Sequence, residues 1–267
     1  CLNESLQVAR NRRQFGQNIV EFPLMRRQLM KQMLPTEQAL SMFLFTGHIM
    51  AQANQGDATA ESLVRILTPL LKFRACRDNV PVATGAMEVR GGNGYVEDWV
   101  NARLIRDAQV GLLWEGTSNI NALDVITRAI AKVRAHYTLA GTLQDKIDDA
   151  PDIPGQFQGL LSAQVERAFA FADEVAGDPA QEDKARMATN ALYHAASAVL
   201  LAWEGATVGA AGGDARRLLL SRMVVDNRLL PQDPLAAGEN RFAKAAATLL
   251  LQDDPVPLAQ VRDTLAL

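Results

Sequence analysis

Residues 88–128 read EVRGGNGYVEDWVNARLIRDAQVGLLWEGTSNINALDVITR. Gly91, Gly92 and Gly94 crowd its start and end a long helical pattern. Lacking a Cβ, they also let backbone come close to a ligand. Further on, Trp114-Glu115-Gly116-Thr117-Ser118-Asn119 leads into an amphipathic repeat of Ile120, Leu123, Ile126, Ile130 and Val133. Thr117 or Ser118 suits the N-cap of that helix, because a hydroxyl oxygen accepts from the free N–H groups of a first turn. Glu115 then stands just ahead of a helix start, where the helix dipole favours a carboxylate. Between an aromatic and a flexible glycine it reads as a positioned base or as an acid placed only for the dipole. Spacing alone leaves both open.

Outward from this stretch the chain is helical, with strand signals almost absent. Leu63, Ile66, Leu67, Leu70 and Leu71 keep the i, i+3, i+4, i+7, i+8 spacing of one buried face. Asp57 and Thr59 are cap candidates for a helix over about residues 60–89. Pro35, Pro69 and Pro81 are expected to bend or interrupt their helices. That gives three long helices and a short one before residue 138. Residues 139–156, with prolines, glycines and four aspartates, read as a linker. A second helical set follows at about 157–176, 182–210, 214–230, 239–252 and 256–266, with Gly212-Gly213-Asp214 as a stop and cap. The expected architecture is all-α: residues 1–138 as one domain, 139–156 as linker and 157–267 as a second bundle.

Composition narrows the function classes. The 267 residues are 48% hydrophobic with a formal net charge of −3, enough to bury a real core. Residues 1–138 hold 16 Lys/Arg against 12 Asp/Glu, and residues 139–267 hold 11 against 18. An acidic second half argues against nucleic-acid binding through bulk charge. With only Cys1 and Cys76, neither a disulfide framework nor a zinc site can be read, and a reducing cytoplasm is the simplest compartment. No apolar run is long enough to span a membrane. His48, His136 and His194 lack ligand-spaced partners and are expected to be surface or packed residues. Asp145, Asp148, Asp149 and Asp152 lack the glycine and terminal glutamate of a calcium loop and read as solvated. No metal site is expected. Arg103, Arg106 and Asp107 are expected to form a buried or interfacial ion-pair set.

The runs GGNGY at 91–95, RDAQV at 106–110 and WEGTSNI at 114–120 resemble the C-terminal signature of the acyl-CoA dehydrogenases. ARNRRQFGQNIVEFP, residues 9–23, is similar to the same family's Arg-x-x-Phe-Gly segment and precedes the glycine run by the expected interval. The resemblance implies an FAD enzyme with a C-terminal four-helix bundle. It implies that Glu115 takes the pro-R α-proton of an acyl-CoA thioester while a β-hydride passes to flavin N5. The backbone N–H of Glu115 would donate to the thioester carbonyl, and Trp114 and Gly116 would line the substrate passage. Thr117 and Asn119 match positions that touch the subunit's own FAD, although glutamine is frequent at the latter. Arg12 matches an arginine reaching the pyrophosphate of a neighbouring subunit's FAD, with Gln14 where a hydroxyl residue is common. Gly91 and Gly92 would let the adenosine half of that flavin lie against backbone. Glu88 stands where glutamine is usual, and Arg90 where an apolar residue is. Implied partners are acyl-CoA, an electron-transfer flavoprotein or another acceptor, and further copies in a dimer or tetramer.

Ordinary members of the family end soon after the Glu-Gly-Thr helix, whereas this chain continues for about 130 residues. Long helical extensions occur in acyl-CoA oxidases, very-long-chain dehydrogenases and the alkylation-response branch that binds DNA. The Trp of WEG and the NALDVITRAI run lean toward that last branch. The alternative function is therefore a protein whose extension binds DNA or a protein partner. Its best basic patch is Arg216, Arg217, Arg222 and Arg228, expected as an exposed or intersubunit stripe. Cys1 and the helical pattern already under way there suggest a piece of a longer protein. Alone, these residues are expected to bind FAD poorly and lack dehydrogenase activity.

Overall fold

The structure is a computed structural model that describes residues 1–233, 235 and 240–267. It is all-α, apart from one two-residue hairpin. Helix α1 (Leu2–Asn11) runs into β1 (Arg13–Gln14) and β2 (Gln17–Asn18), which pair antiparallel. The turn between them places Phe15 at φ +50° and Gly16 at φ +88°. Successive left-handed residues give a two-residue hairpin the twist its strands need.

Helix α2 (Pro23–Ala53) starts on a proline, whose missing N–H costs nothing at a first turn. It lies antiparallel to α3 (Ala58–Arg90), which Asp57 caps by accepting from Thr59 N at 2.8 Å and Ala60 N at 3.1 Å. The expected interruption at Pro35, Pro69 and Pro81 does not occur. Both helices run through, 31 and 33 residues long. Each interior proline costs about 3 kcal/mol, and burial offsets this: Leu63, Ile66, Leu67, Leu70 and Phe73 of α3 pack with Leu29, Met33, Met42 and Phe45 of α2 in the core. After a tight glycine turn come α4 (Asn101–Val110) and α5 (Ser118–Leu123), the latter continued by a wider π-helical stretch over Asp124–Ile130. Ile126 and Ile130 are buried as the periodicity predicted, while Ile120 and Val133 are exposed. The changed pitch of the π stretch puts these two out of register with the buried face.

The second helical set matches its sequence pattern: α7 (Gly155–Gly177), α8 (Ala185–Ala210), α9 (Arg217–Val224) with a π-helical continuation to Leu229, α10 (Arg241–Leu251) and α11 (Leu258–Leu265). Glu239, at the expected start of α10, lies outside the described residues. Gly212 takes φ +81°, the expected stop, whereas Asp214 does not cap α9, whose N-cap is Arg216; its Oδ1 accepts instead from the backbone N of Arg216 at 3.0 Å and of Val256 at 3.1 Å, fixing the turn ahead of the helix. Helix α8 is buried on nearly all sides, and its small residues let neighbours close in. A Cβ on Gly205 would stand 2.4 Å from Leu218 N.

The linker reading of residues 139–156 is corrected. Residues Ala135–Asp148 form α6, with Leu139, Leu143 and Ile147 buried against α3, α7 and α8. Four-residue spacing of these apolar side chains makes one helical stripe, and it outweighs Asp145 and Asp148 on the exposed face; Asp152, beyond the helix and expected as solvated, instead pairs with Arg262. One cluster of buried side chains runs from Ala9 through α6 to Leu265. Among the described residues, no helix is long and apolar enough to cross a membrane, and no group of His, Cys, Asp or Glu could hold a metal.

Candidate active site

Residues 111–117 form a turn-rich loop between α4 and α5 that is braced from behind by α3. Lys72 Nζ donates to the Gly111 carbonyl at 2.7 Å, and Arg77 Nη1 donates to Ser118 Oγ at 3.2 Å. Bidentate pairing of Arg65 with Asp124, at 2.8 and 2.9 Å, fixes the far end of α5 and holds the Asp124 carboxyl below its ordinary pKa. From within, Asn121 Nδ2 donates to the carbonyls of Gly116 at 2.8 Å and Thr117 at 3.0 Å. Thr117 sits at the N-cap, but its hydroxyl makes no capping bond, so the sequence expectation of a side-chain cap is not met.

Held this way, Glu115 takes φ +53° and Gly116 φ +91°. A left-handed conformation costs a non-glycine residue on the order of 1–2 kcal/mol, and such strain gathers at functional sites. The Glu115 side chain is exposed, and among the described residues its carboxylate has neither a hydrogen bond nor an ion pair. Leu113, Trp114 and Ile120 beside it are 69%, 61% and 59% exposed. Behind Asn119 the second helical set reaches in: Arg186 Nη1 at the start of α8 donates to Asn119 Oδ1 at 3.3 Å. Arg77 lies close by, its pKa pushed down by burial and then by Arg186 and Arg74.

A second group forms where α1 meets the C-terminus of α3. Arg12 Nη1 donates to the Arg90 carbonyl at 2.7 Å, and Gly91 next to it takes φ +72°. The backbone angle calls for glycine here, and a Cβ on Gly91 would approach Arg12 Nη1 to 3.0 Å and push the guanidinium aside. Gln14 and Gly92 are exposed beside this group, and a Cβ on Gly92 would meet nothing. The two departures from the family pattern are accommodated here. Arg90 pairs with Glu4 and stacks on the Trp99 ring at 4.2 Å, while Glu88 accepts from Gln28 Nε2 at 2.7 Å. Arg77 and Gly91 are 14 residues apart on one helix, a separation of about 21 Å at 1.5 Å per residue. The sequence-predicted residues thus fall into two places: Trp114, Glu115, Gly116, Thr117 and Asn119 in one, Arg12, Gln14, Gly91 and Gly92 in the other.

Sequence reasoning missed the bracing residues Arg65, Lys72, Arg77, Asn121 and Arg186. Arg65, Lys72 and Cys76 share one face of α3 at i, i+7 and i+11, and that row was the available signal for Arg65 and Lys72. Two ion-pair expectations change. Arg103–Asp107 and Arg106–Glu97 are pairs whose four side chains are exposed on this chain, which removes the buried alternative and leaves the interfacial one. Three of the four arginines of the basic stripe are engaged within the chain and only Arg228 is exposed: Arg216 donates to the carbonyls of Gln252 and Asp254, Arg217 pairs with Glu37 and Glu204, and Arg222 pairs with Asp226. Arg217 thus reaches across to α2 and α8, Arg216 ties the loop after α10, Arg222 pairs within its own helical run, and among the described residues Arg228 alone of the four lacks an ion pair. His48 is exposed, whereas His136 and His194 are buried, the latter against Gln38 Nε2 at 3.1 Å.

The family model described as acyl-CoA dehydrogenase, C-terminal domain, matches residues 1–131, which include both groups of residues. Those residues belong to the acyl-CoA dehydrogenase family. The acyl-CoA dehydrogenase segment is 35% identical to AidB of Escherichia coli (strain K12) over 131 residues, 49% of this chain and 24% of that protein. It is 33% identical to acyl-CoA dehydrogenase family member 11 of Caenorhabditis elegans over 114 residues, 42% of this chain and 18% of that protein. The structure of Caenorhabditis elegans ACDH-11 in complex with C11-CoA shares the fold over 94% of this chain and 44% of that one, with a TM-score of 0.76 and 19% identity. That fold likeness extends beyond the acyl-CoA dehydrogenase segment into the second helical set. The chain spans less than half the length of these relatives.

Proposed function

We propose that this chain is the helical portion of an FAD-dependent acyl-CoA dehydrogenase in which Glu115 is the base that takes the α-proton of an acyl-CoA thioester. The carrying observation is a carboxylate held at a strained backbone position, with no partner of its own, on a loop that α3 fixes from behind. A thioester α-proton is weakly acidic, so its base must be positioned, and it works best where bound substrate excludes water and raises the carboxylate pKa. The exposed Leu113 and Trp114 provide apolar surface to bind the acyl portion and displace that water. In this reading the Glu115 backbone N–H donates to the thioester carbonyl, where enolate-like charge develops.

The residues fit a flavin. Thr117 has a hydroxyl free of capping, Asn119 keeps its amide N–H groups, and Arg12 retains donors beyond the one spent on Arg90. Gly91 leaves the approach beside Arg12 open. FAD, when bound, supplies the acceptor for the β-hydrogen, and an electron-transfer flavoprotein or similar acceptor removes the electrons. Arg77, beside the first group, stands about 21 Å along α3 from Gly91 of the second, and on that separation we assign Thr117 and Asn119 to the subunit's own flavin, and Arg12, Gln14, Gly91 and Gly92 to a neighbour's. At least a dimer is then the working form. The helices from Gly155 onward form an extension whose Arg186 helps to position Asn119.

The test is Glu115→Gln in the protein that carries this chain, with flavin bleaching by acyl-CoA as readout. A positioned general base contributes roughly 10²–10⁴-fold, so bleaching should slow by that factor while flavin content stays unchanged. Bleaching at the original rate would overturn the assignment.

A further inference from the structure

A second concave site lies away from the Glu115 loop, between the N-terminal half of α2 and helices α9 and α10. It encloses about 880 Å³, within the range of small-molecule sites. Along α2 it follows one helical face from Pro23 to Leu34, about 16 Å at 1.5 Å per residue. Met30, Leu34, Met223 and Phe242, each buried with only a few per cent of surface left, form its floor.

Its charge is what sets the cleft apart. Arg27, Lys31 and Arg228 line it, and among the described residues none has an ion pair or hydrogen bond. Arg26 also faces the cleft, but Glu21 Oε2 at 3.1 Å takes up its charge. The acids are engaged in turn: Asp226 accepts from Arg222 Nε at 2.8 Å, and Asp233 Oδ1 accepts from Leu235 N at 2.9 Å. Asp233 offsets one of the three free cations, and positive charge remains. Arg228 is exposed as a whole residue, yet desolvation of its guanidinium and then the nearby Arg74 push its pKa down. Arg27 and Lys31 come from the basic first half of the sequence and Arg228 from the acidic second half, so the cleft gathers unpaired cations from both.

We propose that this cleft binds an amphipathic anion, an apolar chain ending in a carboxylate or phosphate, with the head among Arg27, Lys31 and Arg228 and the tail on the methionine-lined floor. Methionine suits such a floor, because its unbranched side chain adapts to an irregular alkyl partner. The site uses no residue of the Glu115 loop, so it stands or falls independently of the dehydrogenase reading.

The experiment is calorimetric titration of the full chain with dodecanoate, dodecyl phosphate and inorganic phosphate, with thermal melting as a check on folding. Dodecanoate is expected to bind saturably. The exposed pair Arg27→Ala/Lys31→Ala should weaken it at least tenfold, and Arg27→Lys/Lys31→Arg should retain it. Ala247→Trp, from the partly exposed face of α10, narrows the cleft without touching charge and should also weaken binding. Dodecyl phosphate binding as well as dodecanoate would make the head generic; tighter binding would select phosphate. Absence of dodecanoate binding overturns the proposal. So does binding that ignores both the charge and the tryptophan variants, or inorganic phosphate binding as tightly as dodecanoate.

Discussion

The Glu115 loop and helix α8 are opposite solutions to placing side chains on a helical scaffold. In α8, Leu192, Tyr193, Val199, Leu200 and Leu201 are at most 1% exposed, and alanines fill the space between. Every choice there answers a neighbour. In the loop, apolar side chains face outward, a glutamate holds a left-handed conformation, and the hydrogen bonds that fix it come from side chains behind. Contacts within the chain account for α8 and leave the exposed half of the loop unaccounted for. Strain and exposure that packing does not explain are the physical marks of a surface made for a ligand.

The contrast can be broken most directly by asking each region for the other's phenotype. Glu115→Gln, with its roughly 10²–10⁴-fold loss of flavin bleaching, should leave the melting temperature within a degree or so, because the carboxylate has no partner to lose; a marked drop would make Glu115 structural. Leu200→Ala in α8 should cost about 2–5 kcal/mol in urea unfolding through the cavity it leaves. A loss below about 1 kcal/mol would mean that α8 repacks freely.

A smaller effect concerns pH. Burial, then Arg74 and Arg228, push the His194 pKa well down, and burial lowers that of His136 against the opposing pull of Asp173. When folded both resist protonation, His194 more strongly than His136, and both take up protons at about pH 6.5 when unfolded. The unfolded state therefore binds more protons below that pH, and stability falls as pH drops from about 6.5, by up to about 1.4 kcal/mol per unit for each group. His194→Gln should flatten that slope between about pH 6.5 and 5; an unchanged slope would show that His194 does not contribute. The least effect is expected at Tyr193, whose buried hydroxyl has no hydrogen-bond partner. Tyr193→Phe removes an unsatisfied group and should be neutral or stabilising by about 1 kcal/mol, measurable by calorimetric melting.

The same contrast explains what could be read from the sequence. Periodicity located α3 and the second helical set, since Leu63–Leu71 and the apolar runs beyond residue 157 answer to a local rule. Local rules also made the prolines of α2 and α3 look like breaks, because the packing that keeps those helices continuous joins residues far apart in sequence. The aspartates of residues 145–152 hid the apolar stripe of α6 for a similar reason: composition was weighed before spacing. At the site, Glu115, Gly91 and Arg12 were legible as motif members. Lys72, Arg77 and Arg186 were not, because only the folded chain brings α3 and α8 to the loop.

Helix α6 bears on any attempt to divide this chain. Where a slack tether would offer a protease an easy cut and an engineer a place to splice, Leu139, Leu143 and Ile147 instead serve as a keystone wedged between α3 on one side and α7 and α8 on the other. The two helical sets have no seam there, and a truncation at residue 138 would strip apolar cover from both.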